Sequence, residues 1–252
     1  MIDIHSHLLP GVDDGSPSVD VSVPVLERFG EDGVDVLVCT PHLMASSAVR
    51  APSSRNAEIL ARLRERAPAK PKLELGYEIM LDVPGVDLRA PHLHMAGSTA
   101  VLVEYPRMNI PIGATQELMR LAMSGVVPVL AHPERYYGCT IRMVEEWRNA
   151  GAVIQTDAGI LLGTQGPSRI AKALLERGLI DCLASDNHGD KRSLRPAAQW
   201  LREIGAEEQA RILTHTNAER LLTNRPLLPV SPVPPLERGM LRRLRELFVK
   251  GL

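Results

Sequence analysis

Two histidines one residue apart, His5 and His7, directly follow the short apolar run that ends at Ile4. In an extended segment side chains alternate between faces, so both imidazoles point the same way and can reach one metal ion. Further metal-competent side chains recur where later apolar runs end. They are His42 in Cys39-Thr40-Pro41-His42, Glu78 in Gly76-Tyr77-Glu78, Glu104 in Val103-Glu104-Tyr105, and His132 in Leu130-Ala131-His132. Asp186 and His188 close Ala184-Ser185-Asp186-Asn187-His188, and the acidic pair Asp13-Asp14 stands before Gly15. Imidazoles mixed with carboxylates, without a thiolate, suit manganese, iron or zinc in hydrolytic work rather than a structural zinc. With one acid of the Asp13-Asp14 pair the set has nine ligands, too many for one ion. Three divalent ions (+6) against four carboxylates (−4) would leave +2, which matches a phosphate monoester dianion.

The elements that would position these residues alternate. Apolar, β-branched runs occur at Ile2–Ile4, Val36–Thr40, Leu73–Ile79, Ala100–Tyr105, Val127–His132, Val153–Asp157 and Cys182–Asp186. Most are continuous, as strands buried on both faces of a parallel sheet should be. Helical patterns separate them at Val19–Phe29, Arg55–Arg66, Thr115–Met123, Ile141–Asn149, Pro167–Arg177 and Pro196–Ile204. Gly33, Gly125, Gly151 and Gly178 fall shortly before strands, where a left-handed helix cap is wanted. The class is α/β, and seven parallel βα units predict a (β/α)7 TIM-like barrel. In such a barrel every candidate ligand opens onto the carboxyl end of the strands, where active sites are built.

Composition narrows the partners. The 252 residues are about the length of one α/β barrel. Aromatic residues make up 3%, and 29 basic residues nearly balance 30 acidic ones, so neither stacking platforms nor a basic field exists for nucleic acid. Cys39, Cys139 and Cys182 form neither a disulfide framework nor a zinc motif, which points to the cytoplasm. A strand beginning at position 2 leaves no expectation of a leader, and no apolar run approaches the roughly 20 residues of a membrane span.

The expected division is a barrel over residues 1–223 and a tail over residues 224–252. Pro226–Pro235 is Pro-rich and should run extended as a semi-rigid linker. An amphipathic helix follows, with Leu236, Met240, Leu244, Leu247 and Phe248 on one face and Arg238, Arg242, Arg243 and Arg245 supplying charge. It suits an anionic membrane surface or a partner, or packing on the barrel or a neighbouring subunit of a homo-oligomer.

Taken together, Ile4-His5-Ser6-His7, Val12-Asp13-Asp14-Gly15, Thr40-Pro41-His42, Gly76-Tyr77-Glu78-Ile79, Glu104-Tyr105, Ala131-His132-Pro133-Glu134-Arg135-Tyr136 and Ala184-Ser185-Asp186-Asn187-His188 resemble the polymerase and histidinol phosphatase (PHP) superfamily. More narrowly, they are similar to the manganese-dependent bacterial tyrosine phosphatases encoded with capsule and exopolysaccharide genes. The resemblance runs from residue 1 to about residue 223. It implies a distorted (β/α)7 barrel with three divalent ions, manganese first, with iron or zinc as alternatives. One ion would take His5, His7, Glu78 and Asp186; a second would share Glu78 and add Glu104 and His132. The third would take His42, His188 and Asp14, chosen over Asp13 because it directly precedes glycine. A metal-held hydroxide would attack phosphorus in line with the tyrosine oxygen. Arg135 and Arg195 would clamp the phosphate, with Arg192 a rival for the second position. The implied partner is a phosphotyrosine protein, the C-terminal tail of a tyrosine kinase of polysaccharide assembly. The competing readings are a small-molecule phosphatase acting on a substrate such as histidinol phosphate, a metal-dependent nuclease, and a metal-binding regulator without activity.

Other residues read as bystanders. His92-Leu93-His94 repeats the spacing of His5 and His7 but lies in a connection, and His215 should face solvent. Asp157 would support ligands from behind, and Glu134 would be a salt-bridge partner. Tyr105 and Tyr136 fit either the wall of the site or the core.

Overall fold

The structure, a computed structural model, describes residues 1–235. The expected C-terminal amphipathic helix, with its membrane or partner contact, lies outside the described residues.

Among the described residues, nine short strands are interleaved with helices. They are β1 (Ile2–Asp3), β2 (Val36–Cys39), β3 (His42–Met44), β4 (Lys72–Leu75), β5 (Glu78–Met80), β6 (Ala100–Glu104), β7 (Val127–Ala131), β8 (Val153–Asp157) and β9 (Cys182–Ala184). The helices are α1 (Val19–Glu31), α2 (Ser53–Arg66), α3 (Ala114–Met123), α4 (Ile141–Asn149), α5 (Ala158–Leu161), α6 (Gly166–Leu175), α7 (Arg195–Glu203), α8 (Glu207–Arg211) and α9 (Asn217–Leu222). All ladders are parallel. The expected glycine caps at Gly33, Gly125, Gly151 and Gly178 all have positive φ.

Two of the seven expected strands are broken. The run after Val36 stops at Cys39, turns at Pro41 and resumes as β3, while the run expected over Leu73–Ile79 divides at Gly76-Tyr77 into β4 and β5. Pro41 has no N–H to offer a ladder. Gly76 sits so close to Met95 that a Cβ would come within 2.9 Å of its side chain. The lower pieces stay with the first strand in the order β1-β2-β4, and the upper pieces join the order β3-β5-β6-β7-β8-β9. Closure between β1 and β9 is made beyond their ends. Ser6 bridges Asn187 in parallel, Asp186 N–H donates to His5 O at 3.0 Å, and His7 N–H donates to Asn187 O at 2.8 Å. The architecture is the expected barrel with two strands stepped between sheets.

Alternation along the strands separates two apolar layers. Val101, Val103, Leu130, Ile154 and Leu183 face outward to the helices, together with buried Trp147. Ala100, Leu102, Val129, Ala131 and Ala184 face inward with Ile4 and Val38, and Ala218 and Leu221 of α9 close the barrel below them. Inward positions at the upper strand ends are polar instead, and these build the site.

The Pro-rich run, through residue 235, carries neither helix nor strand and packs on the barrel. Asn217 holds residue 228 with both amide atoms, Val230 and Val233 are buried, and Val233 N–H reaches Leu175 O. At Gly178 a Cβ would lie 2.2 Å from Val230 O, so only glycine lets the run pass.

Candidate metal centre

The upper strand ends and the loops that follow them bring all nine sequence-predicted ligands to one end of the barrel. They form four overlapping donor groups: His7 with Asp14, His42 and His188; His5 with Glu78 and His132; His5 with His7 and Asp186; and His42 with Glu78 and Glu104. His5, His7, Glu78, Glu104, His132 and Asp186 are buried, while Asp14 and His42 are exposed toward the mouth. His132 and Asp186 both have positive φ, 36° and 48°. That conformation is costly for residues with a Cβ and is stored at functional sites.

The innermost group tests whether a cation fits. His5 Nε2 lies 3.2 Å from His7 Nε2, 3.2 Å from Asp186 Oδ1 and 3.4 Å from Glu78 Oε2. His7 Nε2 is 3.3 Å from each of the same two carboxylate oxygens. A tetrahedron with metal–ligand bonds of about 2.0–2.1 Å has edges of roughly 3.3–3.4 Å. The donors therefore stand where a divalent ion's ligands would. Buried His132 Nδ1 has no hydrogen-bond partner, while its Nε2 is 2.8 Å from Glu78 Oε1.

Groups behind the imidazoles orient them. His5 Nδ1 meets Gln155 Oε1 at 3.0 Å, His7 Nδ1 meets Asp13 Oδ2 at 2.7 Å, and His188 Nδ1 meets Asp186 O at 3.0 Å. Each contact fixes a ring so that Nε2 faces inward. Asp13 thus supports His7 and also accepts His42 N–H, whereas Asp14 Oδ1 faces His42 Nε2 at 3.3 Å and His188 Nε2 at 3.6 Å. Gly15 permits this loop: a Cβ there would lie 2.1 Å from His7 O. Gln155 was not singled out from sequence. The signal was available, because Gln155 sits two residues before Asp157 on one inward face of β8.

The electrostatics reflect packed opposite charges. Burial disfavours charge on His5, yet Glu78 and Asp186 overcome it and raise its pKa to about 9. Burial also opposes charge on His7, but Asp13, Asp186 and Glu78 hold its pKa well above the usual value. Glu78 is held well below the carboxylate range by the surrounding histidines, against its burial. Burial and the charge of Glu78 push Glu104 up to about 7. Without a cation, the cluster holds protons where positive charge is wanted.

The arginines differ from expectation in one respect. Arg135 reaches the site, donating from one Nη to Asp186 Oδ2 and Asp157 Oδ2, both at 2.5 Å. Arg195 does not: it begins α7, is exposed, and pairs with Asp32 at 3.2 Å. Arg192 lies closer to the cluster, its Nη1 3.2 Å from Asp186 Oδ2. Asn187 holds the intervening loop by donating to Arg192 O at 2.7 Å.

Bystanders resolve as well. Glu134 is buried and accepts Asp157 N–H rather than joining a salt bridge, and burial with the charge of Asp157 pushes its pKa up to about 8. Tyr105 and Tyr136 are core residues packed with Trp147. His94 is tied to Ser98 O and Leu88 O in a connection. His215 is half-buried rather than open to solvent.

Comparison with known proteins agrees with this geometry. Residues 1–223 match the family described as "Capsular polysaccharide synthesis, CpsB/CapC". The chain is 30% identical to the tyrosine-protein phosphatase YwqE of Bacillus subtilis, over 95% of this chain and 98% of that protein. Among solved structures, one described with YwqE of Bacillus subtilis and CpsB of Streptococcus pneumoniae as "unique metal-dependent tyrosine phosphatases" superposes with a TM-score of 0.75 at 26% identity, covering 93% of this chain and 99% of that one. Dihydropyrimidinase from Brevibacillus agri shares the fold alone, with a TM-score of 0.52 at 12% identity over 93% of this chain and 73% of that one.

Proposed function

The chain belongs to the CpsB/CapC family of capsular polysaccharide synthesis, and from that premise we propose how its residues perform phosphotyrosine hydrolysis. It is a metal-dependent tyrosine-protein phosphatase. The observation that carries the reading is the convergence of five imidazoles and four carboxylates at the carboxyl end of the barrel.

We assign one ion to His5, His7, Glu78 and Asp186, a second to Glu78, Glu104 and His132, and a third to Asp14, His42 and His188, with manganese the first choice. Bound there, divalent ions supply positive charge against the phosphoryl oxygens and a water of lowered pKa. The chain's own residues do the rest. Gln155 and Asp13 keep the imidazoles of His5 and His7 turned inward. Arg135 and Arg192, both anchored on Asp186 Oδ2, stand beside the ligands as cationic clamps for phosphate.

Arg192, not Arg195, is the second clamp in this reading. Arg192→Ala is expected to raise KM for a phosphotyrosine peptide roughly tenfold, the scale of losing one charge-assisted hydrogen bond. Arg195→Ala should stay within about twofold, as exposed ion pairs contribute little. Steady-state kinetics of both variants decides between them; the reverse order would restore Arg195.

The proposed partner is the tyrosine-phosphorylated tail of a kinase of polysaccharide assembly, acted on in the cytosol. Free, buried Cys39, Cys139 and Cys182 are in keeping with a reducing compartment. An assay with added manganese, offering a phosphotyrosine tail peptide, histidinol phosphate and single-stranded DNA side by side, tests this. The expected result is a preference for the peptide of at least about tenfold in kcat/KM, a difference of about 1.4 kcal/mol. Preference for histidinol phosphate would overturn it.

A further inference from the structure

The strands that carry His42 and Glu78 do not stop at those ligands. Each continues for two residues beyond the metal layer, to Met44 in β3 and Met80 in β5. The two strands pair in register, His42 with Glu78 and Met44 with Met80, and Met80 also pairs with Glu104. Because side chains two residues apart share a face, Met44 lies on the face of His42 and Met80 on the face of Glu78.

Packing agrees with that placement. Leu43, Ile79 and Leu81, the alternate residues, belong to the outer hydrophobic core, whereas Met44 and Met80 take part in none of the apolar clusters. Met44 is half exposed at 50%, although it sits in a strand between buried Leu43 and buried Ala45. Two further exposed apolar residues, Val49 and Val83, lie in the segments that follow β3 and β5. Those loops are tied together where Ser46 N–H donates to Asp82 Oδ1 at 3.0 Å.

We propose that Met44 and Met80 form the wall of a slot that takes the aryl ring of the substrate. Two residues of strand rise about 6.6 Å, so Met44 stands one step outward of His42 and Met80 one step outward of Glu78, beside Glu104 of β6, where a phenyl ring would rest with its phosphoryl group against these side chains. Thioether sulfur contacts aromatic rings favourably, and a flexible methionine pair adapts to a ring entering edge-on. An alkyl phosphate such as phosphoserine has no ring to meet this wall. The slot therefore selects for aryl phosphate over alkyl phosphate at the same metal centre. It rests on the phosphotyrosine reading of that centre and adds the residues that enforce it.

The test is the ratio of kcat/KM for phosphotyrosine to kcat/KM for phosphoserine, in the manganese-loaded full-length protein. Met44→Ser combined with Met80→Ser should lower this ratio roughly tenfold, and Met44→Leu combined with Met80→Leu should restore most of it, since leucine keeps the apolar bulk. Met44→Ser alone, at a half-exposed position, should lower the ratio severalfold without the risk of misfolding. A ratio unchanged in both serine variants, or a loss of the same factor on both substrates, would overturn the slot. A wild-type ratio near one would overturn the phosphotyrosine reading itself, and the slot with it.

Discussion

Glu78→Gln is expected to lower kcat on phosphotyrosine by about a thousandfold or more while the barrel remains folded. Glu78 is the carboxylate on which the site converges. Its Oε2 lies 3.0 Å from His42 Nδ1, 3.3 Å from His7 Nε2 and 3.4 Å from His5 Nε2, and its Oε1 is 2.8 Å from His132 Nε2. It belongs to two of the four donor groups. Glutamine keeps the shape but removes the negative charge and turns an N–H₂ toward the imidazoles, so the carboxylate that would hold the proposed ions is lost. Transition-state stabilisation by a bound cation amounts to several kcal/mol, and each ~1.36 kcal/mol is tenfold in rate. The check is kcat alongside metal per chain and thermal melting. A variant within tenfold of wild type would remove Glu78 from the centre of the mechanism.

Stripping the protein with a chelator should abolish turnover and leave a protein whose stability falls as pH rises from about 6.5 to about 9. His5 sets this window. Its folded pKa is raised to about 9 from an ordinary value of 6.5 by Glu78 and Asp186, which outweigh its burial. A histidine raised in the folded state contributes its full stability below the unfolded pKa and loses it through the folded one. His7 and His42, also raised, act in the same direction. His132 and His188 are lowered, mainly by burial, and their opposite contribution ends near 6.5. Bound cations replace those protons, so manganese-reloaded protein should melt higher and show a flatter profile over the window, since any ligand of the folded state stabilises it. Melting temperature against pH, with and without manganese, measures this. Coincident profiles for the two forms would mean that metal and protons do not compete for the same cluster.

The parts of this protein that were legible in its sequence are those set by burial on two faces. Val127 to Ala131 reads as a continuous apolar run because both faces of a barrel strand are covered, and Val153 to Asp157 reads as a strand from its β-branched Val153, Ile154 and Thr156; both are strands. The convergence of the nine candidate ligands was legible for a related reason: each stands at or just beyond the carboxyl end of a strand, and those ends open on one face of the barrel. The steps at Pro41 and Gly76 were hidden. Leu73-Glu74-Leu75-Gly76-Tyr77-Glu78-Ile79 reads as one strand, and the close approach of Met95 to Gly76 marks where it divides. A three-residue strand such as His42–Met44 is too short to show a period. Arg195 was favoured by its proline neighbour, but that proline starts α7 and turns the arginine outward to Asp32. Arg192, earlier in the loop, is drawn in by Asp186.

The docking of residues 226–235 has a practical side. This run passes Gly178 and Leu175, at the end of the barrel where strands begin, while the nine candidate ligands crowd the end where strands finish. A tether attached after Pro235 therefore departs from the pole opposite the mouth. Enzyme immobilised on a sensor surface through that point would present its metal centre to the flowing solution, leaving a phosphorylated polypeptide room to approach from above.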